Sequence, residues 1–181
     1  MEVYVKMSRK KLLIAIMIGV FLVVIFNLCT TRIIAADAQE ITSNAYTIMA
    51  GKNSLDEDVT YITKVTPDTT VSTFKSNIQT SSTMQIYDLS DEAVTADDAT
   101  IATGMSLKMG DDTQYVIVVT ADINADGKLT IADVSRLKVY MVGLTTLDDA
   151  EMKAADINYD GNVTAVDLSA AKQLVTGLLQ F

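Results

Sequence analysis

Histidine and tryptophan are absent from the 181-residue sequence, and cysteine and proline occur once each. Without histidine, no Ser-His-Asp triad, Cys-His dyad or histidine-ligated zinc site can be built. A single cysteine cannot pair within the chain, which excludes an internal disulfide framework. The missing tryptophan removes the usual stacking platform for a sugar ring, although tyrosine could take its place. Positive charge is also scarce, with 14 Lys+Arg against 23 Asp+Glu, a net of -9. The bases gather at the start, where residues 1–38 hold five of them against Glu2 and Asp37. The remaining 143 residues carry 9 bases and 21 acids, a net of -12. Such a body repels nucleic acid and anionic lipid and attracts cations or a basic partner.

The one long apolar run is N-terminal. Arg9, Lys10 and Lys11 precede the uncharged stretch Leu12 to Phe26, and Ala36-Asp37-Ala38 places small residues at the -3 and -1 positions of a cut before Gln39. A basic start, an apolar core and an A-x-A site describe a secretory signal peptide. The rival is an uncleaved anchor, but the run is 15 residues and a spanning helix needs roughly 20. Either way, the positive-inside rule puts the rest of the chain outside the cytoplasm. Cys29 follows Leu28 rather than Gly, Ala or Ser, which argues against a lipidated cysteine.

Beyond residue 38 the chain divides in three. Residues 39–53 are polar and read as a linker or a short edge strand around Tyr46 and Ile48. Residues 54–120 read as a small β-rich domain with one short helix. Val59 to Val65 is β-branched and aromatic, Pro67-Asp68 is a turn, and Thr70 caps a helix with Val71, Phe74 and Ile78 on one face. Met84 to Tyr87 suggests another strand, and Met105 to Met109 and Tyr115 to Val119 suggest a hairpin around Gly110-Asp111-Asp112. Residues 121–181 form the third part, all-α, which makes the expected fold class α+β.

That third part contains an internal repeat. Residues 122–143, DINADGKLTIADVSRLKVYMVG, and 156–177, DINYDGNVTAVDLSAAKQLVTG, are identical at 10 of 22 positions with an offset of 34. A 34-residue period also occurs in tetratricopeptide arrays, but each copy here opens with an acidic, glycine-containing loop instead of a first helix. The shared pattern D-x-N-x-D-G-x-x-T-x-x-D follows the calcium loop of an EF-hand, with oxygen ligands at positions 1, 3, 5, 7, 9 and 12 and glycine at 6. The first copy supplies Asp122, Asn124, Asp126, the Lys128 carbonyl, Thr130 and Asp133; the second supplies Asp156, Asn158, Asp160, the Asn162 carbonyl, Thr164 and Asp167. Calcium is a hard cation that takes about six to eight oxygens, whereas magnesium holds a tighter octahedron and keeps its waters. Gly127 and Gly161 permit the sharp reversal. Two Ca²⁺ ions are therefore expected. The competing reading, a pair of Asx-turns ahead of two helices, is weakened by two matches in register.

Val134, Leu137 and Met141 fall on one face of a helix after the first loop, and Leu168, Ala171 and Val175 on the matching face after the second. Gly143 and Gly177 sit where C-caps belong. Thr146 to Asp149 reads as a capping-box-like start of a short helix running to Ala155. Few residues are left for a core, so calcium should supply much of the folding free energy. Asn162-Val163-Thr164 matches a glycosylation sequon but lies inside a metal loop, where it reads as chance.

No helix precedes either loop, and position 12 is Asp rather than Glu. A duplicated loop-helix unit (an F-hand) near the C-terminus of an exported chain resembles a type I dockerin, over residues 121–181. The segment before it, ending at Tyr115 to Thr120, more weakly resembles a small β-rich module found just before dockerins in secreted proteins of anaerobic bacteria. The resemblance implies docking to a cohesin domain of a scaffold, in a cellulosome-type assembly that degrades polysaccharide. It implies a secreted or cell-surface bacterial protein, and we expect a monomer. It also implies that loop positions 10 and 11, here Ile131-Ala132 and Ala165-Val166, face the cohesin. Of the positions further along each helix, Lys138 and Lys172 match the family's basic residue, while Val139 and Gln173 depart from the second one. The plainer reading is core packing for Ile131, Val139 and Val166 and a solvated face for Lys138 and Lys172.

Glycoside hydrolysis needs a carboxylate pair in a cleft. Asp91-Glu92, Asp97-Asp98 and Asp111-Asp112 are candidates by type alone, and as adjacent pairs in polar turns they read as surface. The expectation is a non-catalytic adaptor. The alternatives are a calcium-stabilised surface protein without a cohesin partner, its repeat contacting residues 54–120 or another surface protein, and a minimal hydrolase.

Overall fold

The computed structural model describes residues 41–110 and 113–181. The predicted export segment, residues 1–38, lies outside the described residues, as do Asp111 and Asp112. Among the described residues no helix is long and apolar enough to cross a membrane. The elements are strands β1 (Thr47–Lys52) and β2 (Asp58–Val65), helix α1 (Val71–Ser76), strands β3 (Met84–Tyr87), β4 (Ala93–Val94), β5 (Ser106–Met109) and β6 (Gln114–Val119), then helices α2 (Ile131–Met141), α3 (Asp149–Ala155) and α4 (Ala165–Val175). The fold is mixed α+β. The segment read as a linker or edge strand carries β1.

The strands form one sheet in the order β1-β2-β6-β5-β3-β4. Neighbours are antiparallel except β2 and β6, which run parallel with Ile62 beside Ile117 and Val65 beside Val119. A register shift between those two pairs accompanies Lys64 at φ 64°, a rare conformation for a side chain of this kind and typical of a bulge. β6 is central and covered on both faces, which explains its unbroken apolar run. Tyr115, Ile117 and Val119 face the main core with Ile62, Val65, Phe74, Ile86, Ile101 and Leu107. Val118 faces the other way and packs with Tyr61 against Ala150 and Ala154 of α3.

The first face is roofed by α1, where Thr70 accepts the Thr73 amide as N-cap and Val71 and Phe74 are buried. Tyr46 stacks on Phe74 at 5.1 Å between ring centres. A third cluster joins Ile123, Val134 and Leu137 to Ala155 and Ala171, so α2, α3 and α4 close on one another. All three clusters belong to one compact unit, Gln39–Phe181. Two helical expectations need correction. Met141 is exposed instead of facing the core with Val134 and Leu137: α2 ends at that residue, and Tyr140 one place earlier packs against the helical cluster in its stead. The N-cap of α3 is Asp148 rather than Thr146; its carboxylate accepts the Glu151 amide and Glu151 answers on the Asp148 amide.

Candidate functional site

The two acidic loops adopt the same local structure. In each, the first Asp accepts amides from positions 5 and 6. Asp122 Oδ1 takes Asp126 N–H at 2.9 Å and Oδ2 takes Gly127 N–H at 3.0 Å; Asp156 does the same with Asp160 at 3.1 Å and Gly161 at 2.8 Å. Position 4 is left-handed in both, at Ala125 (φ 60°) and Tyr159 (φ 58°), and so is the glycine at position 6, with φ 78° at Gly127 and 86° at Gly161. The reversal expected from the D-x-N-x-D-G pattern is therefore formed twice.

The last carboxylate of each loop starts a helix. Asp133 Oδ1 accepts the Ile123 and Asn124 amides, and Oδ2 accepts the Thr130 amide and hydroxyl. Asp167 makes the equivalent bonds to Ile157, Asn158 and Thr164. Thr130 and Thr164 are the N-caps, so T-x-x-D is a capping box inside the metal-loop pattern. One residue thus closes the loop and begins the helix. Gly143 and Gly177 follow the helices with positive φ, and the amides of Leu144 and Leu178 return to the Val139 and Gln173 carbonyls. This is the Schellman arrangement expected of those glycines.

The donor set of each loop is entirely oxygen, which suits a hard cation of the calcium kind. Among the described residues, no three His, Cys, Asp or Glu side chains are gathered closely enough to hold a metal by themselves. The acids are tied to their own loop's amides. A cation there would draw further oxygens from Asn124, Thr130 and the Lys128 carbonyl, or from Asn158, Thr164 and the Asn162 carbonyl. The donor set fits the ion through mixed oxygens rather than through a carboxylate cage.

The environments of the loops differ. Asp122 is fully buried and its Oδ2 also accepts Thr103 N–H at 2.9 Å, from the turn before β5. Burial pushes the Asp122 carboxyl above its ordinary value, against the pull of the Thr103, Gly127 and Asp126 amides. The Gly127 carbonyl accepts Asp68 N–H at 2.9 Å. Asp156 is only half-buried, and Asp160 is fully exposed, with Asn158 holding its carboxyl below the ordinary value.

The residues at positions 10 and 11 and along the helices all reach solvent. Ile131, Ala132, Lys138 and Val139 are exposed on α2, and Ala165, Val166, Lys172 and Gln173 on α4. The core-packing alternative fails for Ile131, Val139 and Val166, whose exposures are 66%, 40% and 59%. The helices instead bury Val134 and Leu137 from α2 and Ala171 from α4.

A loop of metal-ligand spacing, a helix started by its last carboxylate and a glycine-capped end, all present twice, make up the repeat. The family model that matches is the Dockerin type I domain, over residues 120–176. No curated protein and no solved structure matches the chain. The matched segment thus begins at Thr120, directly after the central strand β6.

Three features of the matched segment carry no signal in the repeat itself. The Thr103 and Asp68 amides that hold its first loop come from the preceding residues. Tyr159, at the position that is Ala125 in the first copy, meets the Thr120 hydroxyl at 2.6 Å. Arg136, matched by Ala170 in the second copy, binds Glu151 of α3. Differences between the two copies fall at the last two, among the 12 of 22 positions that differ; nothing in the sequence marks Thr103. The acidic pairs Asp91-Glu92 and Asp97-Asp98 are exposed, with Asp91 paired to Lys108.

Proposed function

We propose that the chain is an exported, non-catalytic adaptor whose dockerin segment binds two calcium ions and docks to a cohesin domain of a scaffold, in a cellulosome-type assembly for polysaccharide degradation. The observation that carries this reading is the duplicated loop-helix unit with eight outward-facing residues at the docking positions. Asp122, Asn124, Asp126, Lys128, Thr130 and Asp133 hold one ion, and Asp156, Asn158, Asp160, Asn162, Thr164 and Asp167 the other. Each ion draws the mixed oxygens of its loop together and fixes the start of α2 or α4. The helices then present Ile131-Ala132, Lys138 and Val139, or Ala165-Val166, Lys172 and Gln173, to the partner. The domain before them serves as a spacer, or binds carbohydrate or protein. The acidic pairs at Asp91-Glu92 and Asp97-Asp98 are exposed and suit a solvated surface better than hydrolysis.

The test is binding of the full chain to a panel of cohesins from the producing organism, with and without EDTA. Calcium-dependent binding to at least one is expected; no binding to any ends the cohesin reading. A second reading is a calcium-stabilised surface protein without a cohesin partner. The bond from Thr103 to Asp122 favours it, since the first loop is seated on the sheet of its own chain. Binding to a cohesin decides between the two.

A further inference from the structure

The two loops are alike in sequence and unlike in setting. Loop 1 (residues 122–133) is walled by the β-rich part of the chain. Asp122 accepts three amides, one of them from Thr103, and Thr103 is itself locked by bonds between its hydroxyl and the Val119 amide and carbonyl. Opposite, Asp68 N–H holds the Gly127 carbonyl. Contact is close enough that a Cβ on Gly127 would lie 2.6 Å from the Ile101 carbonyl oxygen and 2.7 Å from Thr100 Cγ2. Loop 2 (residues 156–167) meets the sheet through Tyr159, whose hydroxyl lies 2.6 Å from that of Thr120, and not through its first Asp or its glycine. Asp156 accepts two amides, both from its own loop, and a Cβ on Gly161 would meet nothing within 4 Å. Asn158, Asp160 and Asn162 are exposed. Loop 2 also has lysines beside it, since Lys64 and Lys153 line one cleft with Asp156 and Gly161. The only lysine in loop 1, Lys128, has an exposed side chain.

We propose that the two calcium sites divide their labour: loop 1 is a preorganised, slowly exchanging site whose wall is built by Thr103 and Asp68, and loop 2 is a weaker, exchangeable site whose filling switches the docking face of α4. This rests on the calcium reading above. A ligand already held in place from outside loses less freedom when the ion arrives. A buried carboxylate also attracts a cation more strongly than an exposed one, because the surrounding dielectric is lower. Cationic neighbours oppose a cation at loop 2. Over a range of calcium concentrations the chain then carries one ion, with α2 fixed and α4 not. Thr103 and Asp68 are positioning residues, acting on the ion through Asp122 and Gly127.

The test is a calcium titration of the full chain, followed by calorimetry and by amide NMR. Two steps separated by at least tenfold in affinity are expected. The Thr103 and Asp68 amide signals should move in the first step, and those of Tyr159 and Gly161 in the second. Asp160→Ala should remove the second step and leave the first, and Asp126→Ala should remove the first. Should either variant fail to fold, the wild-type NMR titration decides alone. Two steps of equal affinity, or Thr103 moving only with the second, overturn the division of labour while leaving calcium binding intact. No calcium binding at either loop overturns both readings.

Discussion

Arg136 on α2 donates from Nη2 to Glu151 Oε1 on α3 at 2.5 Å. The other oxygen of Glu151 accepts the Asp148 amide at 3.0 Å and completes the cap of α3. One carboxylate therefore starts a helix and ties it to its neighbour. Removing it by Glu151→Ala should destabilise the chain by roughly 2 kcal/mol, combining a lost cap with a mostly buried ion pair. Glu151→Gln retains an oxygen for the cap and should cost about half as much. Urea unfolding checks both, and equal losses would refute the double role.

Gly127 and Gly161 offer a matched pair. Both have positive φ, so alanine carries a backbone cost of about 1 kcal/mol at each. Only at Gly127 does the new methyl also run into the Ile101 carbonyl. Gly127→Ala should cost about 3 kcal/mol against about 1 kcal/mol for Gly161→Ala. Thermal unfolding under identical calcium distinguishes them, and equal shifts would mean loop 1 is not seated on the sheet.

The hydroxyls of Tyr159 and Thr120 meet at 2.6 Å and join loop 2 to the end of β6. Tyr159→Phe should lower stability by about 1 kcal/mol, the net worth of one hydrogen bond. Hydrogen exchange at Thr120 and Asp160 should rise together in the variant; unchanged exchange at either would contradict the link.

Ile131 is exposed and lies at the first docking position of α2. Ile131→Asp should leave the unfolding midpoint within about 0.5 kcal/mol of the parent, as for other surface changes. If the cohesin reading holds, it should weaken binding through α2 at least tenfold. A variant that binds normally while Ala165 and Val166 are also charged would show that neither helix leads.

Asp133 accepts four hydrogen bonds from three residues of its own loop. Asp133→Ala should therefore reduce helix content even in EDTA, by a cap's worth of about 1–2 kcal/mol. Circular dichroism without calcium reads this directly. Loss of helix only when calcium is present would make Asp133 a ligand alone.

The repeat was legible because its features are local. Loop glycines, N-cap threonines and C-terminal glycines each act within a few residues, and their spacing survives in the sequence. α1 was legible for the same reason, through Thr70, Val71 and Phe74. The cap at Asp148 was misplaced because Thr146 also fits a cap and only the backbone decides. Periodicity puts Met141 inward because it does not register that α2 ends there and that Tyr140 takes the inner place. The parallel pairing of β2 with β6 and the hold of Thr103 on Asp122 left no trace, since each joins segments with no shared pattern.

The parallel pairing also sets an order in time. β2 ends at Val65 and its partner β6 begins at Gln114, so the middle of the sheet cannot close until that much more chain has been made. Until then β2 has β1 on one side and an open edge on the other, a state prone to wrong pairings. Closure of so distant a contact is slow. The next residues after β6 are Thr120, Ala121 and Asp122, whose carboxylate fastens to Thr103. The matched segment thus adds a fastening at the end of the finished sheet, and a chain stopped short of it would leave β6 held by its strand partners and Thr103 alone.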